Sequence, residues 1–299
     1  MKIGLALSGG GAKGLAHIGV LEALRDYGIN IDYISGTSSG SLVAGLYAAG
    51  YTPNEILRLV NKYKDKIIDV DNKVGFKLFG MLLKKKISIK GFVKGNNLEG
   101  ILEKVLKDKG VCDISDTNMP LAISTVDLHT GEIVYFLNEI KEDRGCIIQD
   151  YYEYDDKPSY KIKGNLASII RASCSIPGIF VPKKIEDATY VDGGVRVNTP
   201  TEVLKNMGAD KIIAVTFDCN KKNTFSIDNV VGISSQAFNI MSHNSNKNEV
   251  EGADVNIKLC LNKVSLLDFS NANYIATRGY NIVARNICRI KERLYEQYK

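Results

Sequence analysis

Apolar residues recur along this chain in two alternating rhythms. Ile3 to Leu7 is a short, almost wholly apolar run, as expected of a strand buried on both faces. The spacing then changes. Between Ala12 and Tyr27, Leu15, Ile18, Leu21 and Leu24 recur every third residue, which predicts a helix closed by Gly28. Asn30 to Ile34 predicts a second strand and Ser41 to Ala49 a second helix. Thr52, Pro53 and Glu55 form an N-cap, first-turn proline and capping box, so a third helix starts there. Further strands are expected at Leu121 to Val126, at Ile133 to Leu137, ending at Tyr190-Val191, and at Lys211 to Phe217, with a helix at Leu166 to Ser173. From about Asn271 to Tyr298, Ile275, Ile282, Ile287, Ile290 and Leu294 stand among Arg278, Arg285, Arg289 and Arg293, as on a surface helix. Strands alternating with helices predict an α/β fold, a three-layer αβα sandwich on a mostly parallel central sheet.

Two stretches break the rhythm. Residues 73–94 carry seven lysines and no acid, interleaved with Phe76, Phe79, Leu82, Ile87 and Phe92. They read either as a membrane-contact flap or as a cap packed on the sheet. Residues 139–163 are acidic and tyrosine-rich, as in a surface insertion.

Composition narrows the class. With 299 residues, 44% apolar and 24% charged, the chain is neither disordered nor fibrous. One domain over 1–299 is expected, with a helical part at 226–299. The net charge of +5 is too thinly spread for a nucleic-acid footprint. Six cysteines without a CxxC pair suggest reduced, buried thiols. The first apolar run is too short for a signal peptide, and no run of about 18 apolar residues marks a membrane span. A cytoplasmic protein touching lipid only peripherally is the expectation.

The chemistry gathers at turns after strands. Ser8-Gly9-Gly10-Gly11-Ala12-Lys13-Gly14 follows the first strand and opens a helix, so its amides collect where negative charge is favoured. No Ser or Thr follows Lys13, which argues against a Walker A loop. Gly9, Gly11 and Gly14 with Asp32 fit a dinucleotide fingerprint on spacing, but Asp32 sits early in its strand instead of at the carboxyl end. Gly36-Thr37-Ser38-Ser39-Gly40 matches GxSxG between a strand and a helix, where Ser38 is either an exposed nucleophile or, with Ser41, merely a helix cap. A nucleophile beside a glycine loop is what acyl transfer requires. For a base, the chain offers His17, inside a helix; His129, in a turn; His243, which follows in the Ser, Asp, His order of α/β-hydrolases; and Asp192, before Gly193-Gly194. Only 35 residues precede Gly36, too few for the strands that come before an α/β-hydrolase elbow, so His243 loses on topology. A carboxylate at Asp192 serves only if burial raises its pKa.

Gly9 to Gly14, Gly36 to Gly40 and Asp192-Gly193-Gly194, in this order, resemble the three signature blocks of the patatin-like phospholipase family, and Arg171 to Pro182 resembles a fourth. The resemblance runs over about 3–218. It implies a serine lipid acyl hydrolase, a carboxylic ester hydrolase of phospholipase or lysophospholipase type acting on a lipid or acyl-ester substrate. Ser38 would be the nucleophile and Asp192 its base, with oxyanion amides from Gly10 and Gly11, joined by Gly9. Lys13 would support the loop or lie near a substrate phosphate. No cofactor and no metal are implied. A lipid-binding module with little turnover and, behind it, a nucleotide-binding oxidoreductase are the competing classes.

Overall fold

The computed structural model describes residues 1–69, 90–139, 158–217, 228–261 and 264–295. Most of the 73–94 stretch, residues 140–157 of the acidic stretch, Cys146 and Cys219 lie outside them.

The chain opens with β1 (Ile3–Leu7), a 3-10 turn at Gly11–Leu15, α1 (Ala16–Asp26), β2 (Tyr33–Gly36), α2 (Ser39–Ala48) and α3 (Pro53–Tyr63). After the first gap come α4 (Asn96–Asp108), β3 (Leu121–Asp127) and β4 (Ile133–Leu137). After the second come β5 (Ser159–Lys161), α5 (Leu166–Ser173), β6 (Lys183–Ile185), β7 (Ala188–Asp192), α6 (Thr201–Met207) and β8 (Lys211–Phe217). The chain closes with α7 (Val230–Glu249), β9 (Val255–Leu259) and α8 (Ala272–Tyr295).

Strong patterns set these elements where the sequence places them. Thr52 accepts the Glu55 amide and the Glu55 carboxylate accepts the Thr52 amide, completing the capping box of α3. β2 starts later than its apolar pattern. Asp32 instead turns its carboxylate to Lys2 Nζ at 2.9 Å and to the Ile3 amide at 2.8 Å. The tail of the 139–163 stretch forms β5, a half-exposed edge strand paired with β4.

The strand order is β5-β4-β3-β2-β1-β8-β9, with β7 paired to β3 and β6. The pairs β1–β2, β1–β8, β2–β3 and β8–β9 are parallel, so the middle of the sheet is buried on both faces. Leu5 and Leu7 face a large core shared with α1 to α5 and α8. Ala6, Tyr33 and Ile212 face a smaller one under α6. α8 lies tightly on α1: a Cβ on Gly19 would fall 1.8 Å from the Ala276 carbonyl, and one on Gly279 would fall 1.9 Å from that of Ala16.

The thiols correct the expectation of uniform burial and reduction. Cys174 is buried and free, but Cys112, on a loop, and Cys288, on the outer side of α8, are exposed. Cys260, just beyond β9, is disulfide-bonded. Among the described residues no helix is long and apolar enough to cross a membrane.

Candidate active site

The site is made where two strands meet end to end. β2 runs parallel to β3 and stops with Gly36 opposite Ile123. β7 runs antiparallel to β3 and stops with Asp192 opposite Thr125. β4 occupies the other side of β3, so β2 and β7 share one side and approach each other head-on. Two residues of β3, about 7 Å, separate the ends. Ser38, two residues past Gly36, and Asp192 thus converge from 154 positions apart in the chain.

At Ser38 the chain turns sharply into α2. Its φ of 53° and ψ of −125° lie where a non-glycine residue is strained, a cost of roughly 1–3 kcal/mol. Ser38 occupies the N-cap position of α2, yet its side chain makes no capping bond. Its amide donates to Ser173 Oγ at 2.9 Å, and Ser173 donates to the Ser124 carbonyl at 2.8 Å, locking the turn to β3. The crossing needs bare backbone, because a Cβ on Gly40 would fall 2.2 Å from the Leu7 carbonyl.

Asp192 is wholly buried. Its Oδ1 accepts the Gly194 amide at 2.9 Å within the 3-10 turn Gly193–Val195. Its Oδ2 makes no fully formed hydrogen bond, although the Ser38 hydroxyl stands near enough to favour the ionised form. Burial prevails over both favourable contacts and pushes the carboxyl up to about 7. Cys174, also beside Ser38, is pushed up to about 12 by burial and by the charge of Asp192, so its thiol stays protonated and inert.

The glycine loop lies against the elbow. A Cβ on Gly9 would stand 3.2 Å from Ser38 Cβ, and one on Gly10 would stand 2.5 Å from the Phe217 ring. The Gly9 amide is committed to the Asn198 carbonyl at 3.1 Å, and the Ala12 amide to that of Leu266 at 2.8 Å. Gly11 is left-handed at φ 58°, and Gly14 packs on Ser39.

The loop divides two cavities. On one side, a partly open cavity of about 60 Å³ lies between Ser38, Leu42, Ile67, Leu98, Phe180 and Leu266, among other mostly apolar residues. On the other, a cleft of about 40 Å³ is lined by Gly9, Gly10, Lys13, Asn198, Asn239 and His243, with Ser242 and Asn246 beside them. Lys13 is half-buried, and desolvation lowers its pKa.

The rival residues separate cleanly. His17 is buried, its ring centroid 4.9 Å from that of Phe217 in a tilted contact and bonded through Nε2 to the Ser8 carbonyl at 2.8 Å. Burial lowers it to about 4, so it packs as a neutral ring. His129 lies in the exposed turn between β3 and β4. His243 lines the polar cleft and not the cavity that holds Ser38. Asp32 binds Lys2 and Ile3, at the far end of a strand about 16 Å long from the glycine loop, which removes the dinucleotide reading. Sequence reasoning missed Ser124, Asn198, Phe217 and Leu266, whose roles arise from neighbours far away in the chain.

Residues 5–205 match the family model described as patatin-like phospholipase. An uncharacterized NTE family protein of Mycobacterium tuberculosis is 30% identical over 217 residues, covering 73% of this chain and 49% of that protein. Protein YqhO of Bacillus subtilis is 30% identical over 224 residues, covering 72% and 71%. Lysophospholipase NTE1 of Candida albicans is 30% identical over 213 residues, covering 71% of this chain and 13% of the fungal protein. The chain's match therefore spans about half the length of the mycobacterial relative. Among solved structures, VipD from Legionella pneumophila aligns over 96% of this chain and 67% of its own, with a TM-score of 0.49 and 14% identity.

Proposed function

The chain belongs to the patatin-like phospholipase family, a family of lipid hydrolases, and on that premise we propose that it cleaves acyl esters with Ser38 as nucleophile and Asp192 as general base. The observation that carries this reading is the head-on meeting of β2 and β7 along β3, which sets a strained, uncapped serine beside a buried carboxyl.

In this mechanism Asp192 takes the Ser38 proton as Oγ attacks the ester carbonyl. The Gly10 and Gly11 amides receive the developing oxyanion, while Gly9 holds the loop through Asn198. Collapse expels the alcohol, protonated by Asp192, and leaves an acyl-serine. Asp192 then deprotonates a water that attacks this ester, and the fatty acid leaves as the proton returns to Ser38. An aspartate at its ordinary pKa is a weak base; burial raises this one toward the pH at which it operates. The apolar cavity beside Ser38 takes the acyl chain. A lysophospholipid is a fitting substrate, since one apolar cavity adjoins the serine and one relative is a named lysophospholipase. The working unit in this reading is the whole chain, because α7 and the Leu266 segment complete the cavities.

A fluorophosphonate probe should label the wild type at Ser38, and Ser38→Ala should lose both labelling and turnover of a p-nitrophenyl ester. Turnover retained by Ser38→Ala ends the proposal.

A further inference from the structure

A groove runs along the β9 edge of the sheet, two strands away from β1, and shares no lining residue with either cavity at the glycine loop. It has two parts, of about 370 and about 150 Å³, that abut at Ile282. In the larger, residues 254–258 face Asn286, Arg289 and Arg293 of α8. In the smaller, Leu259 and Cys260 face Arg278 and Arg285. β9 and α8 therefore run antiparallel to each other, one along each side of the groove.

α8 gives the groove its charge. At about 100° per residue, Arg278, Arg285, Arg289 and Arg293 fall within one stripe about 80° wide. All four are exposed, and among the described residues none has an ion pair or a side-chain hydrogen bond. Arg285 and Arg289, and again Arg289 and Arg293, are like charges four residues apart, an arrangement that destabilises a helix. Asp254, across the groove, offers no relief, because its carboxylate is held by Lys211 Nζ at 2.7 Å and by the Ile212 amide at 2.8 Å.

β9 gives the groove its direction. It ends the strand order and, among the described strands, pairs with β8 alone. The N–H and C=O of one residue in a parallel strand point to the same side. The Ser8 amide binds the Val215 carbonyl, so the odd positions of β8 bond toward β1 and the even ones toward β9. The register of Ile213 with Val255 gives those even positions to Val255, Ile257 and Leu259, which leaves the main chain of Asn256 facing the open edge. On a strand added there, side chains on one face recur every 6.6 Å or so, close to the roughly 6 Å between helix residues four apart. Acids at every second position would meet Arg285, Arg289 and Arg293 one for one. The described lining holds no aromatic ring, the platform on which a nucleic-acid base stacks.

We propose that the β9 edge and the arginine stripe of α8 dock an extended acidic segment of a protein partner, which pairs with β9 and sets a carboxylate at every second residue against the arginines. This docking is independent of the chemistry at Ser38.

The test is fluorescence anisotropy of a labelled octapeptide, (Glu-Thr)4, with the full chain. Binding should be saturable and should weaken at least about tenfold in Arg289→Glu, with Arg293→Glu as a second reading should the first variant fail to fold. Lys291→Glu, an equal charge reversal on α8 outside the groove, should leave binding within about twofold. A peptide with four Glu followed by four Thr has the same charge in the wrong spacing and should bind at least about tenfold more weakly. Absence of saturable binding overturns the proposal, as does equal binding of the two peptides or an equal loss in Arg289→Glu and Lys291→Glu. Oligo(dT) displacing the peptide at tenfold lower concentration would assign the groove to nucleic acid. A dimer in sedimentation equilibrium that Arg289→Glu dissociates would assign it to a second copy of this chain. Either result also overturns the proposal.

Discussion

The two cavities flanking the glycine loop are opposites that share a wall. The Ser38 side is walled by α2, α4, the Ile176–Phe180 loop and the Leu266–Phe269 segment, and it is apolar. The other side is walled by α7 and the Asn198 loop, and it is polar. In the first, burial is stabilising and the substrate gains by joining it. In the second, buried amides and hydroxyls cost stability until a polar partner arrives. A fold that only needed to be stable would fill both with leucine. The contrast teaches that an apolar cavity is a by-product of the core, whereas a polar one has to be built against the folding free energy.

The strongest way to break the comparison is to disable the chemistry proposed at Ser38. Asp192→Asn should reduce kcat by about 10³-fold or more, read with a p-nitrophenyl ester. Full activity in this variant would remove the carboxyl from the mechanism. Next is the wall itself. Gly10→Ala drives a methyl into the Phe217 ring and displaces an oxyanion donor, so kcat should fall by roughly 10²–10³-fold. On the apolar side, Leu42→Trp fills space next to Ser38. It should shift preference from long toward short p-nitrophenyl esters by about tenfold or more, since each buried methylene is worth about 0.8 kcal/mol.

The smallest effects are on pH and stability. With Asp192 raised to about 7, kcat/KM should climb with pH through that region and level off above it; an acid limb near 4 would contradict the burial argument. Glu249 is also raised to about 7 by burial, while accepting the Asn198 and Thr199 amides. Glu249→Gln separates the two, because the limb should remain if it belongs to Asp192. For stability the sign is reversed from the usual carboxylate. Below its ordinary pKa of 3.8, Asp192 is protonated whether folded or unfolded and contributes no pH dependence. Between there and about 7 only the folded state holds the proton, so stability is lost as pH rises through this window. Asp192→Asn should therefore raise the unfolding free energy at pH 8 by about 1–3 kcal/mol and bring no such gain at pH 3, by urea denaturation.

Much of the site was legible because its chemistry is local. An elbow needs glycines within two residues of its serine, and an aspartate at a strand end needs the Gly-Gly that follows it, so Gly36, Gly40, Gly193 and Gly194 can be read directly from the chain. The capping box of α3 and the core strands β1, β3, β4 and β8 were legible for the same reason: their signals are periodic and short-range. α7 was not. Val230, Ile233, Ile240 and Met241 are exposed while Ser235, Ser242 and Asn246 are buried beside Phe238, so a rule that sends apolar side chains inward misreads most of it. β5, with its half-exposed residues at the sheet edge, also lacked a pattern to find.

By itself, then, the sequence determined the strand and helix alternation from β1 to α3, the turn that carries Ser38 and the family to which the chain belongs, since each is encoded in contiguous residues whose backbone demands are met locally. Tertiary structure alone decided that β2 and β7 stop two residues apart on the same side of β3, which sets Ser38 beside Asp192. It alone raised the carboxyl, by enclosing it. It also brought Phe217, Leu266 and the inner face of α7 around the glycine loop. Register and burial depend on contacts between residues far apart in the chain, and no stretch of residues contains that information.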